Sequence, residues 1–193
     1  MGECGKSSEN RPSFKSDSYS DWLSDLIDKL GLNKVLLVGC SLGGWIALDF
    51  AVKYPERIEK LVLMATAGVV HVKTKTIFWI IITSFLGSWG FNKLNKLVYS
   101  NLEIDKKAFE FASLIKNYYK PRTDFLPILP DNSLQKIKVP ALFIGGENDC
   151  FYDSQKTASR LNDNLRNIHS FVLVNAGHVL INQTSKIIQF LNS

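Results

Sequence analysis

The stretch VGCSLGG, residues 38–44, decides the fold of this chain. Its centre is Ser41, with a glycine two residues to either side. An apolar, β-branched run, KVLLVG at 34–39, precedes it, and a helical pattern over 42–53 follows. A serine held on a tight turn between a buried strand and a helix is typical of a nucleophile elbow, and the glycines are expected to keep side chains out of that crowded turn.

Segments on both sides of this turn alternate between helical patterns and short apolar runs. Runs of this kind are expected of strands buried on both faces, and their alternation with helices predicts a mainly parallel sheet covered by helices. The predicted strands are 34–39, 58–65, 139–146 and 168–175, and the predicted helices are 19–31, 42–53, 154–162 and 183–192.

The middle of the chain, residues 69–132, has a different character, with large aromatic residues and a proline-punctuated tail. We predict that it is a helical cap insertion, while 1–68 and 133–193 form the α/β core. An apolar, aromatic lining is common in pockets for small organic ligands, which favours a cap that walls such a pocket. The predicted cap helices are about 76–87, 91–100 and 104–119.

A nucleophile elbow predicts two partners, an acid and then a histidine, each in a loop after a later strand. Asp149 follows the predicted strand 139–146, and His178 follows the predicted strand 168–175. Open α/β sheets place their chemistry at the carboxyl ends of the strands, so these side chains are expected to meet Ser41 there. All three residues in this order, each after a strand, indicate a catalytic triad more specifically than any one of them alone.

The predicted roles follow from the chemistry of each group. His178 would take the proton from Ser41, because a serine hydroxyl is a poor nucleophile at neutral pH. Asp149 would fix the tautomer of the imidazole and stabilise the imidazolium. The backbone N–H of Leu42, at the start of a helix, would donate to the oxyanion. The competing interpretation is a serine that is only a turn residue and a histidine that is only structural.

Other residues could replace the acid or the base. Glu147 and Asp153 flank Asp149 in the same predicted loop. His71 lies in the predicted insertion and His169 begins a predicted strand, so both are weaker candidates for the base. The position within the loop favours Asp149 as the acid.

Three cysteines, Cys4, Cys40 and Cys150, make an odd count without metal-ligand spacing or a C-x-x-C pair. Reduced thiols of this kind favour a cytoplasmic protein. Cys40 and Cys150 flank the predicted nucleophile and acid, and packing is favoured over redox control for both.

Composition excludes several classes. The 193 residues are 46% hydrophobic and 21% charged, as in a single globular domain. A net charge of +5 from scattered lysines and arginines gives no support for a nucleic-acid partner. Residues 1–16 lack the apolar segment of a signal peptide, and the apolar stretch 77–86 is too short for a stable membrane anchor. No metal or organic cofactor is expected.

Together these motifs resemble the α/β-hydrolase family, in particular its capped, esterase-like members. The residues that carry the resemblance are GCSLGG, YPERI, AG at 67–68, VPALFIGGEND and NAGH, spread over 1–68 and 133–193. The resemblance implies Ser41 as nucleophile, Asp149 as acid and His178 as base. It also implies a carboxylesterase that acts on a small or medium apolar ester through an acyl-enzyme.

The opening MGECGKS resembles the second half of a family loop of the form D-x-x-G-x-G-x-S. The resemblance therefore implies an N-terminally truncated chain, with the first strands of the sheet and the second oxyanion N–H upstream of Met1. Without those strands, 34–39 is expected to form an exposed apolar edge, which favours aggregation. The expectation is a poorly soluble and nearly inactive chain.

Two further interpretations stay open at this point. The chain could be an inactive remnant or a ligand-binding relative without catalysis. It could also be a carbon–carbon bond hydrolase or carry out other chemistry of the same triad. Ser41 at the elbow excludes reactions that need an aspartate nucleophile there.

Overall fold

The architecture is given by a computed structural model, which describes residues 11–100, 102, 107, 110, 111, 114, 124 and 126–193. Its strands are β1 (Val35–Cys40), β2 (Ile58–Met64), β3 (Ala141–Gly146) and β4 (Ile168–Leu173). Its helices are α1 (Ser18–Lys29), α2 (Leu42–Lys53), α3 (Thr74–Ser84), α4 (Gly87–Tyr99), α5 (Asp131–Leu134), α6 (Ser154–Asn164) and α7 (Thr184–Asn192), with a short 3-10 turn at Pro55–Arg57.

All four strands are parallel and follow one another across the sheet in the order β1-β2-β3-β4. Val38 pairs with Val62, Val62 with Leu142, and Leu142 with His169. Each crossover between neighbouring strands carries at least one helix. The predicted α/β class with a mainly parallel sheet is confirmed.

Alternate side chains of the sheet supply two separate cores. Leu61 and Leu63 of β2 join the larger one, which also holds buried side chains of α1, α2, α5 and α6. Val62 between them points to the opposite face, where α7 packs with Phe190 and Leu191. In the middle of β2, successive buried side chains therefore enter opposite cores, as the two-residue period of a strand requires.

Strand β1 departs from the prediction of burial on both faces. Leu36 is 44% exposed and Val38 is 46% exposed, whereas Val62 beside Val38 is fully buried. The physical reason is that β1 ends the sheet among the described residues and lies beyond the face that α7 covers. The exposed apolar edge expected from the sequence is observed here.

The predicted insertion contains helices α3 and α4, which correspond to the predicted helices 76–87 and 91–100. Both begin and end earlier than predicted, at Thr74–Ser84 and Gly87–Tyr99. The third predicted helix, 104–119, lies outside the described residues apart from isolated positions. The division into core and cap therefore stays a prediction. Within the described part of the chain, no helix has the length and apolarity that crossing a membrane requires.

One arginine ties the two ends of the predicted insertion to helix α6. The guanidinium of Arg160 donates to the backbone carbonyls of Val69 and, at 2.7 Å, Leu129. It also donates to Asp131 Oδ1 at 2.6 Å. The N–H of Leu129 in turn donates to the carbonyl of Gly68 at 2.9 Å. The backbone segments that begin and end the predicted insertion are thus held next to each other and to α6.

Candidate active site

Ser41 lies in the sharp turn between β1 and α2, with φ 52° and ψ −113°. This conformation is strained for a residue with a side chain and persists only where surrounding contacts fix it. The N–H of Ser41 donates to Met64 O at 2.9 Å, and its carbonyl accepts from Ala67 N at 3.1 Å and Gly44 N at 3.0 Å. The main chain of the turn is therefore held from β2 and from the loop after it.

Two glycines leave the space that this turn needs. A Cβ on Gly39 would lie 2.4 Å from the carbonyl oxygen of Gly43, and one on Gly44 would lie 2.3 Å from Thr66 Oγ1. A Cβ on Gly43 would meet nothing within 4 Å. The crowding predicted for the glycines on either side of Ser41 therefore occurs at Gly39, but after Ser41 it falls on Gly44, because Gly43 faces open space at the start of α2.

The three side chains singled out from the sequence form a continuous hydrogen-bonded chain. Ser41 Oγ lies 3.0 Å from His178 Nε2, and His178 Nδ1 lies 2.8 Å from Asp149 Oδ2. Asp149 is only 1% exposed and His178 only 9%. A carboxylate oxygen can only accept, so Nδ1 carries the proton and Nε2 is free to accept from the serine hydroxyl.

Asp149 lies in the acid loop (147–153) between β3 and α6. Its second oxygen, Oδ1, accepts from the N–H of Phe151 at 2.7 Å and from the N–H of Tyr152 at 3.2 Å. These two bonds fix the plane of the carboxylate, so that Oδ2 points at the imidazole. The Asp149 carboxylate is therefore oriented by backbone N–H groups of its own loop.

Aromatic and thiol groups close the site around this pair. The ring of Phe151 meets that of His178 edge-on at 4.7 Å between centroids. Burial, and then the charge of Asp149, raises the pKa of Tyr152 to about 12. The same two causes raise the pKa of Cys150 to about 11. Neither group titrates near neutral pH, which agrees with the packing role expected for Cys150.

The alternative acids and bases lie elsewhere. Glu147 is exposed, with its carboxylate on the backbone N–H of Asn175, and Asp153 caps the first turn of α6. His71 and His169 are both exposed. Of the described histidines and acidic side chains, only His178 is hydrogen-bonded to Ser41 Oγ.

Leu42 is the first residue of α2, directly after Ser41. Its N–H has no acceptor in the part of the chain that the structure describes, as expected for the first N–H groups of a helix. A free N–H next to the serine, at the positive end of a helix, is suited to bind a negative oxygen. The predicted role of this N–H as oxyanion donor remains a proposal.

A cavity of about 440 Å³ lies beside the acid loop, and neither Ser41 nor His178 is among its lining residues. Lysines from α3, α4 and the residue before α3 line it together with Asp149. Nothing in the sequence marks this region, because no motif identifies residues that contact a loop through its backbone. The lysines at this cavity are Lys73, Lys75 and Lys96.

Comparisons with known proteins bear on the family and the fold of this chain. Residues 2–114 match the family model of the alpha/beta hydrolase fold. The carboxylesterase nap of Bacillus subtilis (strain 168) is 28% identical over 189 residues, which is 93% of this chain and 62% of that protein. This chain therefore spans less than two thirds of the length of that relative.

Solved structures share the fold. Naproxen esterase from Bacillus subtilis superposes with a TM-score of 0.79 at 24% identity, over 95% of this chain and 67% of that one. A meta-cleavage product hydrolase from Pseudomonas fluorescens IP01 superposes with a TM-score of 0.72 at 20% identity, over 97% of this chain and 75% of that one. At these identities the likeness establishes the architecture alone.

Proposed function

Since the chain belongs to the family of the alpha/beta hydrolase fold, we propose that it is a serine hydrolase, a carboxylesterase that cleaves a small or medium apolar ester through an acyl-enzyme on Ser41. The observation that carries the proposal is the unbroken hydrogen-bonded chain from Ser41 Oγ through His178 to the buried Asp149. The carboxylesterase that shares 28% identity supports the choice of an ester.

In the first half-reaction, Ser41 Oγ attacks the carbonyl carbon of the ester as its proton passes to His178 Nε2. The carbonyl oxygen becomes negative and accepts from the N–H of Leu42. Asp149 stays a carboxylate and stabilises the imidazolium through Nδ1–H. When the carbon–oxygen bond to the alcohol breaks, His178 returns its proton to the leaving oxygen, and the acyl group remains on Ser41.

In the second half-reaction, a water molecule takes the place of the alcohol. His178 Nε2 removes a proton from the water as its oxygen attacks the acyl carbon. Collapse of the intermediate breaks the bond to Ser41 Oγ, which recovers its proton from His178 and releases the carboxylic acid.

A fluorophosphonate probe tests the serine step, because it captures an activated serine once and needs no turnover. We expect covalent labelling of Ser41, detected by mass spectrometry of the digested protein, and its complete loss in Ser41→Ala. Ser170→Ala is the matched control, since the hydroxyl of Ser170, on β4, donates to Asn162 and, among the described residues, to no part of the site. A cooperatively folded chain that takes up no probe would contradict the proposal.

Hydrolysis of p-nitrophenyl butyrate tests the ester step. We expect turnover that disappears in Ser41→Ala and His178→Ala. Only one oxyanion donor is identified in the described residues, and loss of one donor costs about 100- to 1000-fold in kcat, so slow turnover is expected. If the probe labels Ser41 but p-nitrophenyl esters of every acyl chain length are left uncleaved, the esterase proposal is rejected. The chain would then be a serine hydrolase that cleaves a bond other than an ester.

A further inference from the structure

The start of helix α3 holds the acid loop by three successive backbone carbonyls. The ammonium of Lys73 donates to the carbonyl of Asp149 at 2.7 Å, and the N–H of Lys73 donates to the carbonyl of Phe151 at 2.8 Å. Between them, the hydroxyl of Thr76 donates to the carbonyl of Cys150. Thr76 is 6% exposed. The residue that carries the carboxylate is thus anchored from outside its own loop.

The end of helix α4 holds the histidine loop (174–183) in a similar way. The N–H groups of His178 and Val179 both approach the carbonyl of Val98, at 3.2 and 3.4 Å. Helices α3 and α4 pack on each other, with Gly90 close against the backbone of Thr83. One helical hairpin therefore contacts both loops whose side chains meet at the 2.8 Å bond between His178 and Asp149.

Lys73 stands where a helix disfavours it. It is the N-cap residue of α3, and no acidic residue occupies the first turn. A positive charge at the positive end of a helix is destabilising, and lysine does not cap the free N–H groups. Its ammonium is instead directed at the carbonyl of Asp149. A locally unfavourable residue with a specific contact to a catalytic loop points to a role in function.

We propose that Lys73 is a positioning residue of the active site, which holds Asp149 in register with His178 through the Asp149 carbonyl, with Thr76 as its second anchor. The inference rests on the proposed function. Among the described residues Lys73 has no hydrogen bond to Ser41 or to the His178 side chain, and it acts through the backbone of the acid loop. Without the ammonium, the Asp149 carbonyl loses a charge-assisted hydrogen bond, and the loop backbone that orients the carboxylate loses one of its three anchors to the start of α3.

The test compares Lys73→Met with Lys73→Arg and with Lys75→Met. Lys75 lines the same cavity, is exposed and has no hydrogen-bond or ionic partner in the described residues, so its replacement removes the same charge without touching the loop. We expect Lys73→Met to lower kcat for p-nitrophenyl butyrate by roughly 10- to 100-fold with KM unchanged, as loss of a transition-state contribution requires. Lys73→Arg keeps a cationic donor and is expected to recover most of kcat, and Lys75→Met to match the unsubstituted chain.

A second readout does not depend on catalysis. In the chain labelled with ¹⁵N-histidine, the Nδ1 proton shared between His178 and Asp149 gives a resonance displaced downfield by its hydrogen bond. We expect this resonance to broaden or disappear in Lys73→Met and to persist in Lys75→Met. If the unsubstituted chain is not labelled by fluorophosphonate and does not hydrolyse the ester, the proposed function fails. The His178 resonance still shows in that case whether Lys73 positions Asp149.

Three results would overturn the inference. One is a Lys73→Met variant with unchanged kcat and an unchanged His178 resonance. Another is an equal loss in Lys75→Met, which would assign the effect to net charge. If circular dichroism shows that Lys73→Met does not fold, Thr76→Val takes its place, because that change removes only the side-chain hydrogen bond to the Cys150 carbonyl. The third result is then a folded Thr76→Val with unchanged kcat and an unchanged His178 resonance, which would reject the positioning role.

Discussion

At the scale of single residues, Ser41 is held in a conformation that costs free energy, and the surrounding backbone supplies what keeps it there. Its positive φ turns the side chain out of the line of β1 and towards His178. Four backbone hydrogen bonds, from or to Met64, Ala67, Gly44 and Trp45, oppose relaxation of the turn. The same strain that presents Oγ makes the turn sensitive to any added side chain nearby.

The two glycines on either side of Ser41 are therefore expected to respond differently to a methyl group. Gly39→Ala places a Cβ 2.4 Å from backbone oxygen, which a rigid turn cannot accommodate, so we expect the free energy of unfolding to fall by about 3 kcal/mol. Gly43→Ala meets open space inside α2 and is expected to be neutral or stabilising by about 0.5–1 kcal/mol. Urea unfolding of both variants gives the comparison, and equal destabilisation would contradict it.

A second residue-scale prediction concerns pH. The pKa of Cys150 is raised from 9.0 to about 11 and that of Tyr152 from 10.0 to about 12, first by burial and then by the charge of Asp149. The folded state therefore holds both protons more tightly than the unfolded chain, and their contribution to stability is complete below pH 9. We expect the free energy of unfolding to fall as the pH rises from about 9 to about 12.

Urea unfolding at pH 8 and at pH 11 measures this decline, and Cys150→Ala combined with Tyr152→Phe provides the control. Those replacements remove both titrating groups and keep most of the packing volume. The double variant is expected to lose less stability between the two pH values than the unsubstituted chain. A decline of the same size in both would show that other groups cause it.

The meeting of Ser41, His178 and Asp149 could be predicted because it follows from chain order and strand geometry. Each residue comes after a parallel strand, and the carboxyl ends of these strands share one edge of the sheet. Their catalytic roles remain a proposal. The contact of Lys73 with Asp149 could not be predicted in this way, because it joins a side chain to a backbone carbonyl 76 positions away, and a carbonyl carries no sequence signal.

At the scale of elements, the order of strands and helices was predictable from apolar runs, but the exposure of β1 was not predictable from its own residues. VLLVGC has the composition of a strand buried on both faces, and its burial depends on which neighbours flank it. The way the predicted insertion joins the sheet also escaped prediction. It depends on Arg160, one arginine among scattered charges, whose partners are two backbone carbonyls and Asp131.

Removal of this arginine is expected to loosen the junction between the insertion and α6. Arg160→Met leaves the carbonyls of Val69 and Leu129 without their donor, and both residues are buried, so we expect the free energy of unfolding to fall by about 2–3 kcal/mol. Arg160→Lys is expected to restore only part of this, because an ammonium lacks the planar fork that reaches several acceptors. Urea unfolding measures both variants.

The matched control for this prediction is Arg166→Met, since Arg166 is exposed and has no partner among the described residues. It removes the same charge and should change the free energy of unfolding by less than about 0.5 kcal/mol. If Arg160→Met and Arg166→Met proved equally mild, the hydrogen bonds of Arg160 would not hold the junction.

At the scale of the whole molecule, the sheet has an apolar side that its own helices do not cover. Leu36 and Val38 are 44% and 46% exposed on β1, whose outer edge has no strand beside it in the described part of the chain. Unpaired backbone groups next to exposed apolar side chains favour pairing with another chain. We therefore expect the 193-residue chain to self-associate in solution, with sedimentation coefficients that rise with protein concentration.

Charged replacements on β1 should suppress this association without disturbing the cores. Leu36→Lys with Val38→Lys adds two charges to the exposed side, where lysine is a common means of protecting sheet edges, and is expected to give a monomer. Val174→Lys is the matched control, because Val174 is 74% exposed and follows β4, at the other end of the sheet from β1, and it should leave the association unchanged. An unsubstituted chain that sediments as a monomer at all concentrations and melts in one sharp transition would show that the open side of β1 is not a site of association.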